Sequence, residues 1–82
     1  MKLQKNIAIS ESGFLFNPGN GDSFSLNDIG LDVLTLLQKD KNRQEIVSFI
    51  TSKYEVDASD FEKDLEDFRM QLRDAQLLIH EG

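Results

Sequence analysis

The hexapeptide Asn17-Pro18-Gly19-Asn20-Gly21-Asp22 is where this 82-residue chain comes nearest to a ligand-binding loop. Glycines let backbone N–H groups approach a phosphate closely. Three features count against that chemistry. The spacing fits neither GxxxxGK[ST] nor GxGxxG. The segment leads into a strand-like run, whereas phosphate loops lead into a helix N-terminus that adds its dipole. It carries Asp22 and no lysine. The hexapeptide reads better as a hairpin loop. Pro18-Gly19 suits the centre of a type II turn, and Asn20-Gly21 tolerates positive φ.

Other reactive types lack partners at useful spacing. His80 is the one histidine, two residues from the end, and reads as a solvated tail residue. Hydroxyls such as Ser10, Ser12, Thr35 and Ser59 have no nearby base to activate them. A calcium loop needs Asp or Asn at alternate positions and Glu at the twelfth. Asn17 to Asp28 begins that way, then offers Phe24, Leu26 and serines where oxygen ligands are wanted, and ends in Asp. Without cysteine there are no disulfides and no thiolate metal sites. No cofactor, metal or catalytic activity is expected.

The elements that position these residues fall into two groups. The first is strands. In Lys5 to Ser10, Ile7 and Ile9 share a face opposite Ala8; in Gly13 to Phe16, Phe14 and Phe16 share a face; in Asp22 to Asn27, Phe24 and Leu26 oppose Ser23 and Ser25. Glu11-Ser12-Gly13 turns between the first two, giving a three-stranded antiparallel meander. The second group is helices. Asn27 or Asp28 caps one that runs to about Gln38 with Ile29, Val33, Leu36 and Leu37 on its apolar side. Asn42 and Glu45 form a capping-box pattern for a second, with Ile46, Val47, Phe49 and Ile50 apolar; Ser59 and Glu62 repeat the pattern for a third, to about Gln76. Phe61, Leu65, Phe68, Leu72 and Ala75 follow one stripe of that helix, and Leu77 to Ile79 close the chain as an apolar clamp. The expected fold class is α+β: one winged-helix-like domain over residues 1–82, a three-stranded antiparallel sheet followed by three helices.

Charge narrows the partners. The net charge is -6, with three basic against five acidic residues in 1–40 and six against ten in 41–82. Neither half suits a phosphate backbone, where Lys and Arg supply most of the affinity. Between Asp60 and Asp74 six acids face three bases, a poor DNA recognition helix. Lys2 and Lys5 are followed by no long apolar run, so neither a signal peptide nor a membrane span is expected, and a cytoplasmic location is.

Attention moves to the strand after the loop. The third strand of a meander has one neighbour, and its other side presents unpaired N–H and C=O groups. Lysine, proline or a bulge usually guards such an edge. Ser23-Phe24-Ser25-Leu26 has none of these. The edge could accept an extended peptide by strand addition. It could instead be covered by the third helix or the tail, or be paired with a second copy, and the residues alone favour such cover. At 100° per residue, the third helix carries Asp60, Asp64, Asp67, Gln71 and Asp74 on one flank and Glu62, Glu66, Arg69, Arg73 and Gln76 on the other. An acidic flank at a groove beside the strand would favour a basic peptide, the Arg flank an acidic one.

Leu26-Asn27, the aliphatic run Leu34 to Leu37, Glu45-Ile46, Tyr54 and the span Asp64 to Leu72 stand in the order and spacing of a known family. Over residues 7–79 the chain resembles the PqqD family of peptide chaperones, also called RiPP recognition elements. It departs at Ala75-Gln76, where the family often has glycine. The resemblance implies a winged-helix-like fold that performs no chemistry. It implies binding of the leader segment of a ribosomally made precursor peptide as a strand added to the third strand, beside the third helix. It further implies delivery to a modifying enzyme such as a radical SAM protein, a cyclase or a leader protease. The residues expected to bind are Ser23, Phe24, Ser25, Leu26, Asp64, Phe68, Arg69 and Leu72. A DNA-binding winged helix and a dimerisation module that pairs the third strand with its own copy are the alternatives.

Overall fold

A computed structural model describes residues 1–79; His80 lies outside them. Strands β1 (Ala8–Ile9), β2 (Phe14–Asn17) and β3 (Asp22–Ser25) precede helices α1 (Asp28–Gln38), α2 (Arg43–Tyr54) and α3 (Ala58–Asp74). The strands form one antiparallel sheet in the order β1-β2-β3, which leaves β3 at an edge. The α+β plan expected from the sequence is the one observed.

Alternation explains the sheet's faces. Ile9 pairs with Leu15, and Leu15 with Phe24. Directly opposed residues share a face, and this one packs on the core, with Leu15 fully buried. Phe14 and Phe16 share the other face and are 55% and 44% exposed. The helices fill the other side of the core with Leu34, Ile46, Ile50 and Leu65, each fully buried or nearly so. Burying a side chain of this size stabilises by about 1.5–3 kcal/mol, and these positions dominate the fold.

The β2–β3 loop differs from the expected type II turn. Positive φ falls at Gly21 (78°) and not at Gly19. The loop closes on Asn17, whose carbonyl accepts from the N–H groups of Asn20 and Gly21 at 3.4 and 2.8 Å, and whose Oδ1 accepts from the Gly19 N–H at 3.0 Å. Asn20 Oδ1 accepts from the Asp22 N–H at 3.0 Å. These donors are satisfied inside the turn, and Pro18 has no N–H, so the loop has no inward-pointing amides left for a phosphate.

Helix ends show which local rules win. Asn27 caps α1, accepting from the Gly30 N–H at 2.7 Å, and Asn42 with Glu45 makes a complete capping box at α2. The box expected from Ser59 and Glu62 does not form. Asp57 caps α3 instead, accepting from the N–H groups of Ser59 and Asp60 and from Ser59 Oγ. A carboxylate gains from the positive helix end in a way that a hydroxyl does not. Of the apolar residues of α2, Ile46 and Ile50 are fully buried and Val47 packs against the core, whereas Phe49 is 44% exposed. The clamp Leu77–Ile79 has a partner strand: Gln4 N–H donates to Leu77 O, Ile79 N–H donates to Lys2 O, both at 2.8 Å, and Leu3 bridges Leu78. The tail is thus engaged with the N-terminal segment and not with β3.

At the end of α3, Leu77 N–H bonds Leu72 O and Gln76 N–H bonds Arg73 O, both at 2.9 Å. That pair of bonds is the Schellman pattern, with Gln76 at the left-handed position (φ 62°) that glycine fills most cheaply. Replacing Gln76→Gly removes the Cβ clash and keeps both bonds. The expected outcome is a gain of about 1 kcal/mol, read as a higher urea midpoint at unchanged slope; an unchanged or lower midpoint would contradict it.

Candidate functional site

The parity of the β2–β3 ladder decides which groups face out. Leu26 N–H donates to Gly13 O at 2.7 Å, so the opposed residues 13 and 26 form a hydrogen-bonded pair. The register then makes Leu15–Phe24 and Asn17–Asp22 bonded pairs, and Phe14–Ser25 and Phe16–Ser23 non-bonded ones, because the two kinds alternate. The β1 side agrees: Ser10 N–H donates to Phe14 O at 2.8 Å, which turns the polar groups of Phe14 and Phe16 toward β1. Ser23 and Ser25 therefore point both N–H and C=O away from β2. Among the described residues these groups have no other partner, and both serine side chains are exposed.

At Ser25 this edge opens into a groove of ≈ 710 Å³. Ser25, Leu26 and Asn27 form one side, the first turns of α1 the floor, and α3 the opposite wall. Leu26, Ile29 and Phe68 give it accessible apolar surface, with Val33, Phe61 and Leu65 buried beneath. Gly30 lies under the capping Asn27 side chain, where a Cβ would come within 3.1 Å of Asn27 Oδ1 and within ordinary contact, 3.7 and 3.8 Å, of the Phe68 ring and Leu26 Cδ2. The α3 wall presents Asp60, Asp64, Asp67 and Gln71. The acidic flank of α3 is the one that faces the groove.

The other flank packs toward α2. Glu66 accepts from Arg69 on its own helix and from Arg43 Nη1 across the interface at 2.9 Å. Arg69, and then Arg43, hold the Glu66 carboxyl down from 4.5 to about 2. A second tie joins α1 to α2. Asp32 accepts from Lys53 Nζ at 2.8 Å and from the Tyr54 hydroxyl. Burial pushes the Asp32 carboxyl up, but those two hydrogen bonds outweigh it and the net direction is down.

The structure brings some of the sequence-derived candidates together and separates others. Ser25, Leu26, Asp64 and Phe68 line the groove. Ser23 and Phe24 extend the same strand, Ser23 on its open edge and Phe24 half-buried on the core face. Leu72 is in the core and Arg69 is held on the opposite flank, so neither lines the groove. The start of α1 was missed as a groove element. Its signal was Gly30, three residues past the Asn27 cap, where helix propensity disfavours glycine and the 3.1 Å approach that a Cβ would make to Asn27 Oδ1 favours it. Among the described residues, no group of three or more His, Cys, Asp or Glu is placed to hold a metal ion, and no helix is long and apolar enough to cross a membrane.

Comparison with known proteins gives three findings. Residues 13–78 match the family described as "Coenzyme PQQ synthesis protein D (PqqD)". The fold is similar to that of a solved protein, TbiB1 in complex with the TbiA(beta) leader peptide, at TM-score 0.87 and 30% identity, covering 100% of this chain and 99% of that one. It is also similar to a lasso peptide synthetase B1 complexed with the leader peptide, at TM-score 0.82 and 23% identity, covering 96% of each chain. No curated protein matches.

The Glu66 cluster sets a pH dependence. Its folded pKa lies below the unfolded value, so its stabilisation is complete above about pH 4.5 and is lost as pH falls toward about 2. The stability difference between the native protein and Glu66→Gln is expected to be largest near neutral pH and to shrink across that window. Urea midpoints at pH 6 and pH 3 measure it; a difference that does not change with pH would show that the cluster contributes nothing by ionisation.

Proposed function

This chain belongs to the PqqD family, and on that premise we propose that it binds the leader segment of a ribosomally synthesised precursor peptide as an added strand on β3. The observation that carries this reading is the outward pair Ser23 and Ser25 beside the groove. An antiparallel segment opposite them would form four backbone hydrogen bonds, two from each serine. At about 0.5–1.5 kcal/mol net each, these total about 2–6 kcal/mol, short of the roughly 8 kcal/mol that a micromolar Kd requires, and apolar burial must supply the rest. Leu26 and Phe68 offer that surface, Phe24 stiffens the strand from beneath, and Asp64 stands on the opposite wall. Leu72 acts from the core by holding α3 in place, and Arg69 is left out of the site. The two solved relatives carry leader peptides by their own descriptions, which supports the same class of ligand here.

On this reading the chain makes and breaks no covalent bonds. It presents the bound precursor to a modifying enzyme, such as a radical SAM protein, a cyclase or a leader protease, and works in the cytoplasm where precursors are made. No observation favours duplex DNA: the groove wall is acidic.

Proline at position 25 tests the edge. Its missing N–H is not used by β2, so the fold should persist, while one bond to the peptide is lost and the approaching strand is obstructed. Ser25→Pro is expected to weaken binding at least about tenfold. Titration calorimetry would measure this with leader peptides from precursors encoded beside the gene, and with the TbiA(beta) leader as a second probe; circular dichroism would confirm the fold. Undiminished affinity in a folded Ser25→Pro protein would sink strand addition.

A further inference from the structure

We propose that the groove selects leader segments with a lysine or arginine among the side chains turned toward α3. This rests on the strand-addition reading above and adds a charge requirement to it.

Asp60, Asp64 and Asp67 project from the α3 wall, and among the described residues no Lys or Arg lines the groove. Among the described residues, none of the three carboxylates has an ion-pair or side-chain hydrogen-bond partner. The cations of α3 are placed elsewhere: Arg69 on Glu66, Arg73 beside Asp74 at 3.6 Å, and Lys63 outside the groove. The helix end accounts for Asp60, because a carboxylate near the N-terminus is stabilised by the dipole. That effect fades within the first turn and does not reach Asp64 or Asp67. A metal ion is no better an explanation, since the three acids are spread along the helix and are not grouped to ligate one.

A peptide strand fits this arrangement. Every second side chain of a segment bonded to Ser23 and Ser25 enters the groove, about 6.6 Å apart. From Asp60 to Asp67 the acid row runs about 10 Å along the helix, at about 1.5 Å per residue, so it meets one or two such side chains. Lysine and arginine suit both surfaces together. Their aliphatic stems can cover Phe68 and Leu26 while the charged head reaches a carboxylate.

The test uses the whole chain and a display library of random peptides about twelve residues long, enough to span the edge at about 3.3 Å per residue. Capture by the native protein is expected to enrich Lys and Arg at alternate positions. For an enriched peptide, Asp60→Asn/Asp64→Asn/Asp67→Asn should weaken binding about tenfold at low salt, and raising salt to about 0.5 M should remove most of that difference. Changing the selected Lys to Gln should cost the native protein a similar factor and the triple variant almost nothing. Captured peptides without basic enrichment, or bound equally by the triple variant, would overturn the charge requirement; if Ser25→Pro still abolished their capture, strand addition would stand. Capture undiminished by Ser25→Pro and by N-methylation of alternate peptide amides, or no capture at all, would overturn both.

Discussion

The constraint on which the rest depends is the pairing parity of β2 and β3. Antiparallel strands alternate bonded and non-bonded pairs, so one residue of offset exchanges the groups that face the neighbour with those that face away. Here the offset makes Phe24 and Leu26 face β2 and leaves Ser23 and Ser25 facing out. The same offset puts Leu15 and Phe24 on the core and Phe14 and Phe16 on the other face. A slip would expose the core side of the sheet and internalise the edge in one step. The Asn17–Gly21 turn, locked by its own hydrogen bonds and by positive φ at Gly21, holds the register. The glycine-rich loop therefore bears on the site by fixing which backbone groups are available there.

The third helix completes the arrangement by separating its charges. Its basic groups are drawn to the α2 side and its ends, where Arg69 and Arg43 close on Glu66. The groove side keeps carboxylates, with no Lys or Arg among the described residues that line it. A helix meant only to be soluble would gain more from mixing the signs along both flanks, where pairs one turn apart add a few tenths of a kcal/mol each. The separation gives up some of that local support and creates a one-signed wall opposite the open edge.

Much of this was legible in the sequence because the governing rules are short-ranged. Alternation paired residues by face, though in β2, where Phe14, Leu15 and Phe16 are all apolar, it did not say that Leu15 is the buried one; Asn27 and Asn42 marked helix starts, and the stripe Phe61–Leu65–Leu72 marked the buried side of α3. What was not legible depended on competition or on distant partners. Asp57 and Ser59 are both good caps, and the carboxylate wins. Pro18-Gly19 suits a type II turn locally, but closure onto Asn17 demands the positive φ at Gly21. The pairing of Leu3 with Leu78 joins residues far apart in the chain and has no local signature. The choice of flank on α3 was open for the same reason: helical geometry lists the two sides, and only packing against α2 decides which one is left to the groove.

An open edge is a hazard as well as a binding site, because the surface that accepts a leader accepts any extended chain, another copy included. Backbone bonds do not discriminate among sequences. Discrimination has to come from side chains around the edge, and here it can come in both directions. β3 is only four residues long and starts at Asp22, which limits what edge pairing alone can gain. The wall of Asp60, Asp64 and Asp67 adds repulsion toward acidic segments, and this chain, at net charge -6, is itself such a segment source. A second copy brought edge to edge would carry its own acidic wall into the groove. The same carboxylates that would favour a basic leader would thus keep the edge from being consumed by self-association, and no guard residue on the strand is then needed.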